Sequence, residues 1–354
     1  MHKKFLDYFC DPADKGRLIY IAFQTSGDNL LEGVFINTAT GLAYPMMYGV
    51  PVFLPGAFPE DWLSKNSSPL SDLKSKFPNV KLLSFNAGKE WSFSSEWEAH
   101  SEKEMQTTWG MTVESRFDQF LLEVEADATE IAGKKILDAG CGNGMLTEYF
   151  ASKGMLSFGI DFSKSVFAAE ANRKNENVCF LRGDLQQPPF ADGFFDIVVS
   201  NGVIHHTQNT EHTFRRLAST VKKGGRYYIW LYERKGPLTW GVKRRIFDWL
   251  RMVVSRMPSG VQNAVVSMFT RSLHSAYKIA GKKLDYETLH VDMYDSLTPR
   301  WRHYHNPEEV SRWYFENGFG AVRLTHWDNR YGFGVYALKE AIAKPPGEKY
   351  KEKA

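Results

Sequence analysis

The sequence of 354 residues is poor in cysteine, has nearly balanced charge and lacks long apolar runs. Its three cysteines, Cys10, Cys141 and Cys179, are odd in number and far apart, which excludes a disulfide framework and a cysteine zinc cluster. The net charge of +3 by itself favours no nucleic-acid partner. The first residues lack a signal-peptide core, and no run of about 18 apolar residues occurs. We therefore expect a cytoplasmic protein.

Patterns for metals and phosphates are also missing. The histidines are scattered, and no acid pair stands at ligand spacing from a His-His pair, so we predict no metal site. The glycine-rich stretch 138–144 lacks the Gly-Lys-Ser/Thr ending of a phosphate loop, because Met145 follows Gly144. The dinucleotide fingerprint also needs a glycine where Met145 stands. Both absences count against a ligand that is held by its phosphates.

Strand and helix patterns alternate from residue 134 onwards, which predicts an α/β fold with helices on both faces of a parallel sheet. Residues 17–54 read instead as short strands punctuated by glycine and proline. The long helical patterns of 235–305 interrupt the alternation before a last helix and two strands. In such a sheet, ligands bind at the carboxyl ends of the strands.

Three of these predicted strands end in an acid. Asp138 lies two residues before Gly140, where a carboxylate suits a cationic group such as an amine or a sulfonium. Asp161 stands where a ribose diol would be held, although this alone does not separate cofactor types. Asp184 can accept a hydrogen bond from an adenine amino group beside the backbone of Leu185. Three carboxylates with no basic residue in the turn predict an adenosine ligand without phosphates.

Residues 134–232 resemble the class I S-adenosylmethionine-dependent methyltransferases through ILDAGCGNG, GIDFS, RGDLQQPPF, FFDIVVSNGVIHHT and VKKGGRYYIW. The resemblance implies a doubly wound, seven-stranded Rossmann-like sheet with an antiparallel last strand, and S-adenosylmethionine as cofactor. The implied cofactor contacts are Asp138, Gly140, Cys141, Gly142, Asp161, Phe162, Asp184, Leu185, Asn201 and Gly202. We expect the Cys141 thiol to be structural, because acidic neighbours raise its pKa.

An N-terminal stretch, LLEGVFINTATGLAYPMMYGVPVFLP, resembles the small zinc-ribbon-like module that activates some tRNA and protein methyltransferases. That family commonly has a Cys-x-x-Cys pair where this chain has Asn37 and Thr40, and without thiolates no tetrahedral zinc site forms. We therefore expect a packing or docking unit. The predicted domains are a zinc-free module at 1–58, a linker and cofactor-covering segment at 59–111, a methyltransferase domain at 112–340 with a helical insertion or cap at 235–305, and a disordered tail at 341–354.

Two groups of residues are candidates for chemistry on the acceptor. His205 and His206 follow the fourth strand, so either could be a general base, or one could bond the backbone while the other packs beneath the cofactor. Chains with this type of insertion fold the stretch YDSLTPRWRHYHNPEEV over the same edge, although a solvated loop is the alternative. His303 and Tyr304, in the same stretch, are further catalytic candidates. Substrate-binding candidates, including arginines that recognise carboxylate or phosphate, are Trp109, Tyr294, Arg300 and Arg302.

The insertion is strongly basic. Residues 235–284 contain ten Lys and Arg against one acid, Asp248, which gives a net charge of +9. Residues 240–257 form a basic amphipathic pattern with an apolar stripe, typical of a helix that contacts an anionic membrane surface. The alternative is a cap whose stripe packs on the core or on a second subunit of a homodimer. We expect no nucleic-acid partner, because no binding module is recognisable.

These patterns together predict methyl transfer from S-adenosylmethionine to a small-molecule or lipid-like acceptor that carries a carboxylate or phosphate. A tRNA or protein methyltransferase is one alternative, suggested by the N-terminal stretch and the basic insertion. A protein that binds the cofactor without transferring its methyl group is another. The sequence does not distinguish oxygen, nitrogen, sulfur or carbon as the methylated atom.

Overall fold

The structure is a computed structural model that describes residues 1–54, 56–83, 107–108, 111–234, 238–281, 285–328 and 332–340. The substrate-binding candidate Trp109 and the expected tail 341–354 lie outside these ranges. Much of the expected linker, 84–106, also lies outside them.

One sheet of eleven strands runs through the described part of the chain, in the order β1-β2-β3-β4-β9-β8-β7-β10-β11-β13-β12. A separate hairpin, β5 and β6, precedes the third helix. The strands are β1 Leu18–Ser26, β2 Asn29–Asn37, β3 Ala43–Met47, β4 Val50–Phe53, β5 Thr107–Thr108, β6 Met111–Thr112, β7 Lys135–Ala139, β8 Leu156–Asp161, β9 Val178–Gly183, β10 Phe195–Asn201, β11 Val221–Tyr232, β12 Phe319–Asp328 and β13 Gly332–Lys339.

The strands from β7 onwards form a Rossmann-like mixed sheet. β7 pairs in parallel with β8 and β10, and β9 and β11 extend the parallel set on either side. β13 is antiparallel to both β11 and β12, as the resemblance implies for the last strand. The strand order reverses at β7, because its neighbours are the next strand and the fourth one of the domain. A ligand crevice is therefore expected beyond the carboxyl end of β7.

Helices cover this sheet, and several begin at residues that cap their first turn. The Thr112 side chain accepts a hydrogen bond from the backbone of Ser115, and Asn209 does the same for His212. Asn306 and Glu309 form a capping box at the last helix. The helices are α1 Glu60–Lys65, α2 Ser67–Lys76, α3 Val113–Glu123, α4 Ala128–Ile131, α5 Met145–Ser152, α6 Ser165–Ala171, α7 Thr210–Thr220, α8 Leu238–Val254, α9 Ser259–Ile279, α10 Tyr286–Leu297 and α11 Pro307–Glu316. Two 3-10 helices span Lys3–Tyr8 and Ile204–His206.

The N-terminal strands continue the main sheet. β4 pairs in parallel with β9, where Val52 lies opposite Arg182 and Phe53 opposite Gly183. The ring of Phe9 lies 5.2 Å from that of Phe53 and 5.9 Å from that of Phe190. Residues 1–58 therefore share a sheet and an aromatic core with the later domain, and they also contribute to a smaller apolar cluster around Trp62.

A hydrogen-bond network surrounds Asn37, one of the two positions at which the zinc-ribbon-like resemblance had suggested that other proteins carry cysteine. Asn37 Nδ2 donates to Asp11 Oδ2 at 2.9 Å and to the carboxylate of Asp14 at 3.1 Å. The Tyr44 hydroxyl donates to Asp11 Oδ1 at 3.1 Å. Asp11 and Asn37 are fully buried, so these bonds satisfy polar groups that would otherwise be costly to bury.

The helical insertion has a small core of its own, formed by Val254, Val266, Leu289, Met293, Tyr294 and Leu297. Only part of the apolar stripe predicted for 240–257 packs against this core. Leu250 and Val254 face this core, whereas Ile246, Phe247 and Val253 are exposed. Within the described residues, no helix combines the length and the apolar character needed to cross a membrane.

Candidate functional site

The glycine-rich turn leaves β7 with three residues in the left-handed backbone region. Gly140, Gly142 and Gly144 have φ values of 92°, 54° and 76°, which favour glycine. A Cβ at Gly140 would lie 2.4 Å from the Val203 side chain, and one at Gly144 would lie 2.4 Å from the Phe180 ring. Two of the glycines therefore allow the turn to pack on Phe180 within β9 and on Val203 just after β10. The sequence had suggested only that they make room for a ligand.

Asp161, at the end of β8, is hydrogen-bonded to this turn. One carboxylate oxygen accepts from the backbone N–H of Gly142 at 2.9 Å, and the other accepts from Ser163 at 2.8 Å. The Ser165 hydroxyl donates to the Gly142 carbonyl at 2.7 Å. A carboxylate has about four lone-pair positions, so two remain for the hydroxyls of a ribose.

Asp138 is a buried acid at the end of β7. The Thr147 hydroxyl donates to its Oδ2 at 2.6 Å. Burial raises the pKa of Asp138 to about 6, while the Thr147 bond and the positive charge of Arg116 act in the opposite direction. Arg116 is itself buried in an ion pair, with its Nη1 2.9 Å from Glu123 Oε2. A buried carboxyl of this kind gains an electrostatic partner when a cationic ligand group binds beside it.

The remaining predicted cofactor residues lie at the same edge of the sheet. Asp184 follows β9 and accepts from the Gln186 backbone at 2.9 Å, and Leu185 is buried beside it. Asn201 ends β10, and the Gly202 N–H donates to the Trp230 carbonyl at 3.2 Å. The Phe162 carbonyl, after β8, accepts from Arg182 Nε at 2.9 Å. The carboxyl ends of four parallel strands thus bring these residues to one edge of the sheet.

Cys141 lies within the turn and is only partly exposed. Burial raises the pKa of its thiol well above the ordinary value, and the charges of Asp161 and Asp138 raise it further. The direction agrees with the sequence-based expectation, although burial is the larger cause and the acidic neighbours the smaller one. The thiol is therefore protonated near neutral pH and a poor nucleophile.

The 3-10 turn Ile204–His206 carries the two candidate bases beyond β10. His205 is fully buried, and neither ring nitrogen has a hydrogen-bond partner among the described residues. Its ring centroid lies 4.3 Å from that of His206 and 4.2 Å from that of Tyr232. Burial, with the positive charge of neighbouring groups, lowers the pKa of His205 well below its usual value, so its ring is neutral.

His206 has one nitrogen fixed by the backbone. Its Nδ1 lies 3.0 Å from the Trp301 carbonyl, which can only accept, so Nδ1 carries the hydrogen in the neutral ring. Its Nε2 lies 3.6 Å from Asp295 Oδ1. Burial lowers the pKa of His206 to about 4, whereas Asp295 and the Trp301 bond act to raise it. The neutral imidazole therefore has its lone pair on Nε2, beside a carboxylate that increases its basicity.

His205 and His206 form a cluster with Tyr232, Asp295 and Arg302, and two of its members, Tyr232 and Asp295, were not predicted from the sequence. The Tyr232 hydroxyl, at the end of β11, donates to Asp295 Oδ2 at 2.7 Å. Asp295 lies on α10 and is almost fully buried. Tyr232 could have been found from its place at the end of a parallel strand. Asp295 lies in the stretch 294–310 that was expected to fold over this edge, but it was not singled out, and the packing of the helical insertion brings it to His206.

The loop 298–306 closes the cluster from the other side. The backbone N–H of His303 donates to the His205 carbonyl at 2.9 Å, and that of His305 donates to the Tyr232 carbonyl at 3.0 Å. The Arg302 guanidinium lies 4.3 Å from the centre of the Tyr232 ring. Its Nε is buried and has no hydrogen-bond partner among the described residues. A buried donor of this kind is suited to an anionic ligand group.

The other predicted acceptor residues are more dispersed. The His303 ring Nε2 donates to the Thr207 carbonyl at 3.1 Å, and the Tyr304 ring centroid lies 5.9 Å from that of Tyr232. Tyr294 is buried in the core of the insertion, and Arg300 is exposed beside Trp301. In the described ranges, no group of three or more histidines, cysteines and acids is arranged to hold a metal ion.

Comparison with known proteins adds the following findings. Residues 137–229 match the family described as "Methyltransferase domain". The chain is 27% identical over 102 residues to a ubiquinone biosynthesis O-methyltransferase of Coxiella burnetii, covering 28% of this chain and 44% of that protein. It is 34% identical over 97 residues to a demethylmenaquinone methyltransferase of Corynebacterium kroppenstedtii, covering 27% and 41%.

Among solved structures, the chain is similar to the magnesium protoporphyrin IX methyltransferase of Synechocystis with bound SAH, at 16% identity and a TM-score of 0.40. That comparison covers 79% of this chain and 97% of the other. The chain spans less than half the length of the curated relatives that it matches. Residues 137–229 are therefore similar to a methyltransferase domain.

Proposed function

We propose that the protein transfers a methyl group from S-adenosylmethionine to a small, lipid-like acceptor that carries an anionic group. One observation carries this proposal. The acid-lined turn after β7 contacts the segment after β10 through Gly140 and Val203, and that segment leads directly to the buried His206–Asp295 pair. A seat for a cationic adenosine ligand and a proton acceptor thus lie in neighbouring parts of one sheet edge.

Each carboxylate at a strand end binds a different part of the cofactor. Asp138 faces its amino group, Asp161 its ribose hydroxyls, and Asp184 with Leu185 its adenine. The bound cofactor supplies a methyl group on a sulfonium, which is open to in-line attack. The turn residues fix its position, because alignment of the reacting atoms accounts for much of the rate enhancement of such a displacement.

His206 is the candidate general base. Its Nε2 lone pair accepts the proton of the attacking group, and the nearby Asp295 carboxylate stabilises the imidazolium that results. Arg302, with its buried Nε, binds the anionic group of the acceptor. The names of the two curated relatives, which refer to ubiquinone and demethylmenaquinone, support an acceptor of low molecular mass.

The proposal is tested with methyl-labelled S-adenosylmethionine and separate extracts of lipids and polar metabolites, followed by mass spectrometry. We expect label in a low-molecular-mass anionic product, and loss of most of this labelling in His206→Ala. His212→Ala, an exposed histidine on α7, is the matched control and should label normally. Label only in added tRNA or protein, or none in any fraction, would contradict the proposal.

A further inference from the structure

The outward side of α8 combines exposed apolar side chains with arginines. Ile246, Trp249, Met252 and Val253 are exposed, and the fractions for Trp249 and Ile246 are 59% and 55%. Arg245 and Arg256 are also exposed. Spacings of three and four residues place the five side chains on α8 along one stripe of the helix, and Arg256 lies in the turn that follows its end. We call this stripe, Arg245, Ile246, Trp249, Met252, Val253 and Arg256, the arginine–tryptophan face.

This face is distinct from the side of α8 that packs inside the protein. Leu250 and Val254 contact the core of the insertion, and α8 rests on α10 through this inner side. The four large apolar side chains of the outer side are left exposed to water. A contiguous apolar patch on an otherwise polar surface marks an interaction site.

The charges on α8 indicate which kind of partner binds the arginine–tryptophan face. Asp248 is the one acid in the sequence of this helix, and its Oδ1 lies 2.9 Å from Arg251 Nη2. The exposed charges on the arginine–tryptophan face are therefore positive, and they stand at its two ends with the four apolar side chains between them. Tryptophan and arginine together suit the boundary between lipid headgroups and acyl chains. A second copy that bound through the same face would bring the arginines of both copies together, which is unfavourable.

The geometry points to the arginine–tryptophan face as a docking surface for an anionic lipid bilayer, with the apolar side chains in the headgroup region and the arginines beside acidic headgroups. The α10 helix, on which α8 packs, also carries Asp295 of the candidate acceptor site. Docking therefore brings the bilayer close to the insertion that lines this site. This inference does not depend on the proposed methyl transfer, because it concerns a surface whose binding is measured without any reaction.

The test is flotation of the full chain with vesicles of phosphatidylcholine containing 30% phosphatidylglycerol, and with phosphatidylcholine alone. We expect binding to the anionic vesicles that weakens as salt is raised. Arg245→Glu should weaken the partition about 30-fold, because two units of charge change near the surface. Trp249→Ser should weaken it about tenfold through lost apolar contact.

Two control variants make the same chemical changes elsewhere. Lys223→Glu reverses an exposed charge near the start of β11, and Leu122→Ser removes an exposed apolar side chain on α3. Both should bind like the unmodified chain. Absence of vesicle binding, or equal losses in the control variants, would overturn the inference. A dimer in light scattering that Trp249→Ser converts to a monomer would also overturn it, by assigning the face to a second copy.

Discussion

Asp138 and His206 are both buried titratable side chains, and burial shifts the pKa of each in the direction that favours its uncharged form. The pKa of Asp138 is raised to about 6, and that of His206 is lowered to about 4. At pH 7 the carboxyl is therefore mostly ionised while the imidazole is neutral. Asp138 therefore attracts a cation, whereas His206 with a pKa of about 4 is a weak base whose capacity to accept a proton depends on the nearby Asp295 carboxylate.

The pKa of Asp138 predicts that cofactor binding depends on pH. If the ligand amino group binds the ionised carboxyl, affinity is full above pH 6 and falls as the carboxyl takes up a proton below it. Between pH 7 and pH 5 the affinity for S-adenosylhomocysteine should fall about tenfold in calorimetry. Asp138→Asn should bind weakly at both pH values without this dependence. An equal slope in Asp138→Asn would show that another group is responsible.

Asp161→Ala should weaken the binding of S-adenosylhomocysteine about 100-fold. The change removes an acceptor for the ribose hydroxyls and also the bonds to Gly142 and Ser163 that hold the turn, each charged bond being worth about 1.5–3 kcal/mol. His206→Ala is the contrasting variant and should bind with unchanged affinity, because it lies beyond the cofactor seat. Calorimetry that gave Asp161→Ala the affinity of the unmodified chain would refute the ribose assignment.

Asp295→Asn should lower kcat about 100-fold while leaving the affinity for the cofactor unchanged. Without the carboxylate, the pKa of His206 falls further and the imidazolium loses its partner. Tyr232→Phe keeps the ring but loses the hydroxyl bond to Asp295, so its kcat should fall less. Steady-state kinetics of Asp295→Asn and Tyr232→Phe across pH measures both losses of kcat. A purely structural role for Asp295 would instead raise KM for both substrates or lower stability in parallel with activity.

At the scale of strands and helices, the positions of the acids at strand ends were the most predictable. Asp138, Asp161 and Asp184 each follow an apolar run, so the sequence places them at one sheet edge once parallel pairing is assumed. The pairing of β4 with β9 was not predictable in this way, because the partner of a short strand depends on contacts more than a hundred residues apart.

The orientation of α8 was also beyond the sequence pattern. The helical spacing identified an amphipathic helix, but which apolar residues face inward depends on α10, which packs against only part of the stripe. The same packing places Asp295 beside His206, which is 89 positions earlier in the sequence. Local patterns carry no information about such contacts, because they arise from tertiary packing.

Phe53→Ala tests the junction between the N-terminal strands and the main sheet. Phe53 is buried in the shared aromatic core, so we expect a loss of about 3–5 kcal/mol in the free energy of unfolding. Fluorescence and circular dichroism should still report one coincident transition, since β4 and β9 belong to one sheet. Leu122→Ala, at an exposed position, should cost little. Two separate denaturation steps in the unmodified chain would contradict this description.

In the whole molecule, the small net charge of +3 results from a strongly basic insertion and a remainder that is net acidic, with acids at the ends of three parallel strands. In the proposed function, the acids at the ends of β7, β8 and β9 bind the cationic cofactor, whereas Arg302 and the basic helices lie on the side of the anionic acceptor. Charge is then separated according to the two proposed ligands. This separation favours a small anionic or lipid-like acceptor, because each ligand meets a surface of opposite charge.

The most direct test is to incubate the protein with methyl-labelled S-adenosylmethionine in a whole-cell lysate and to measure the label in lipid, polar small-molecule, RNA and protein fractions. We predict label in the lipid or small-molecule fraction, which Asp161→Ala and His206→Ala both abolish. Label confined to RNA or protein, or small-molecule label that survives both substitutions, would contradict the proposed function.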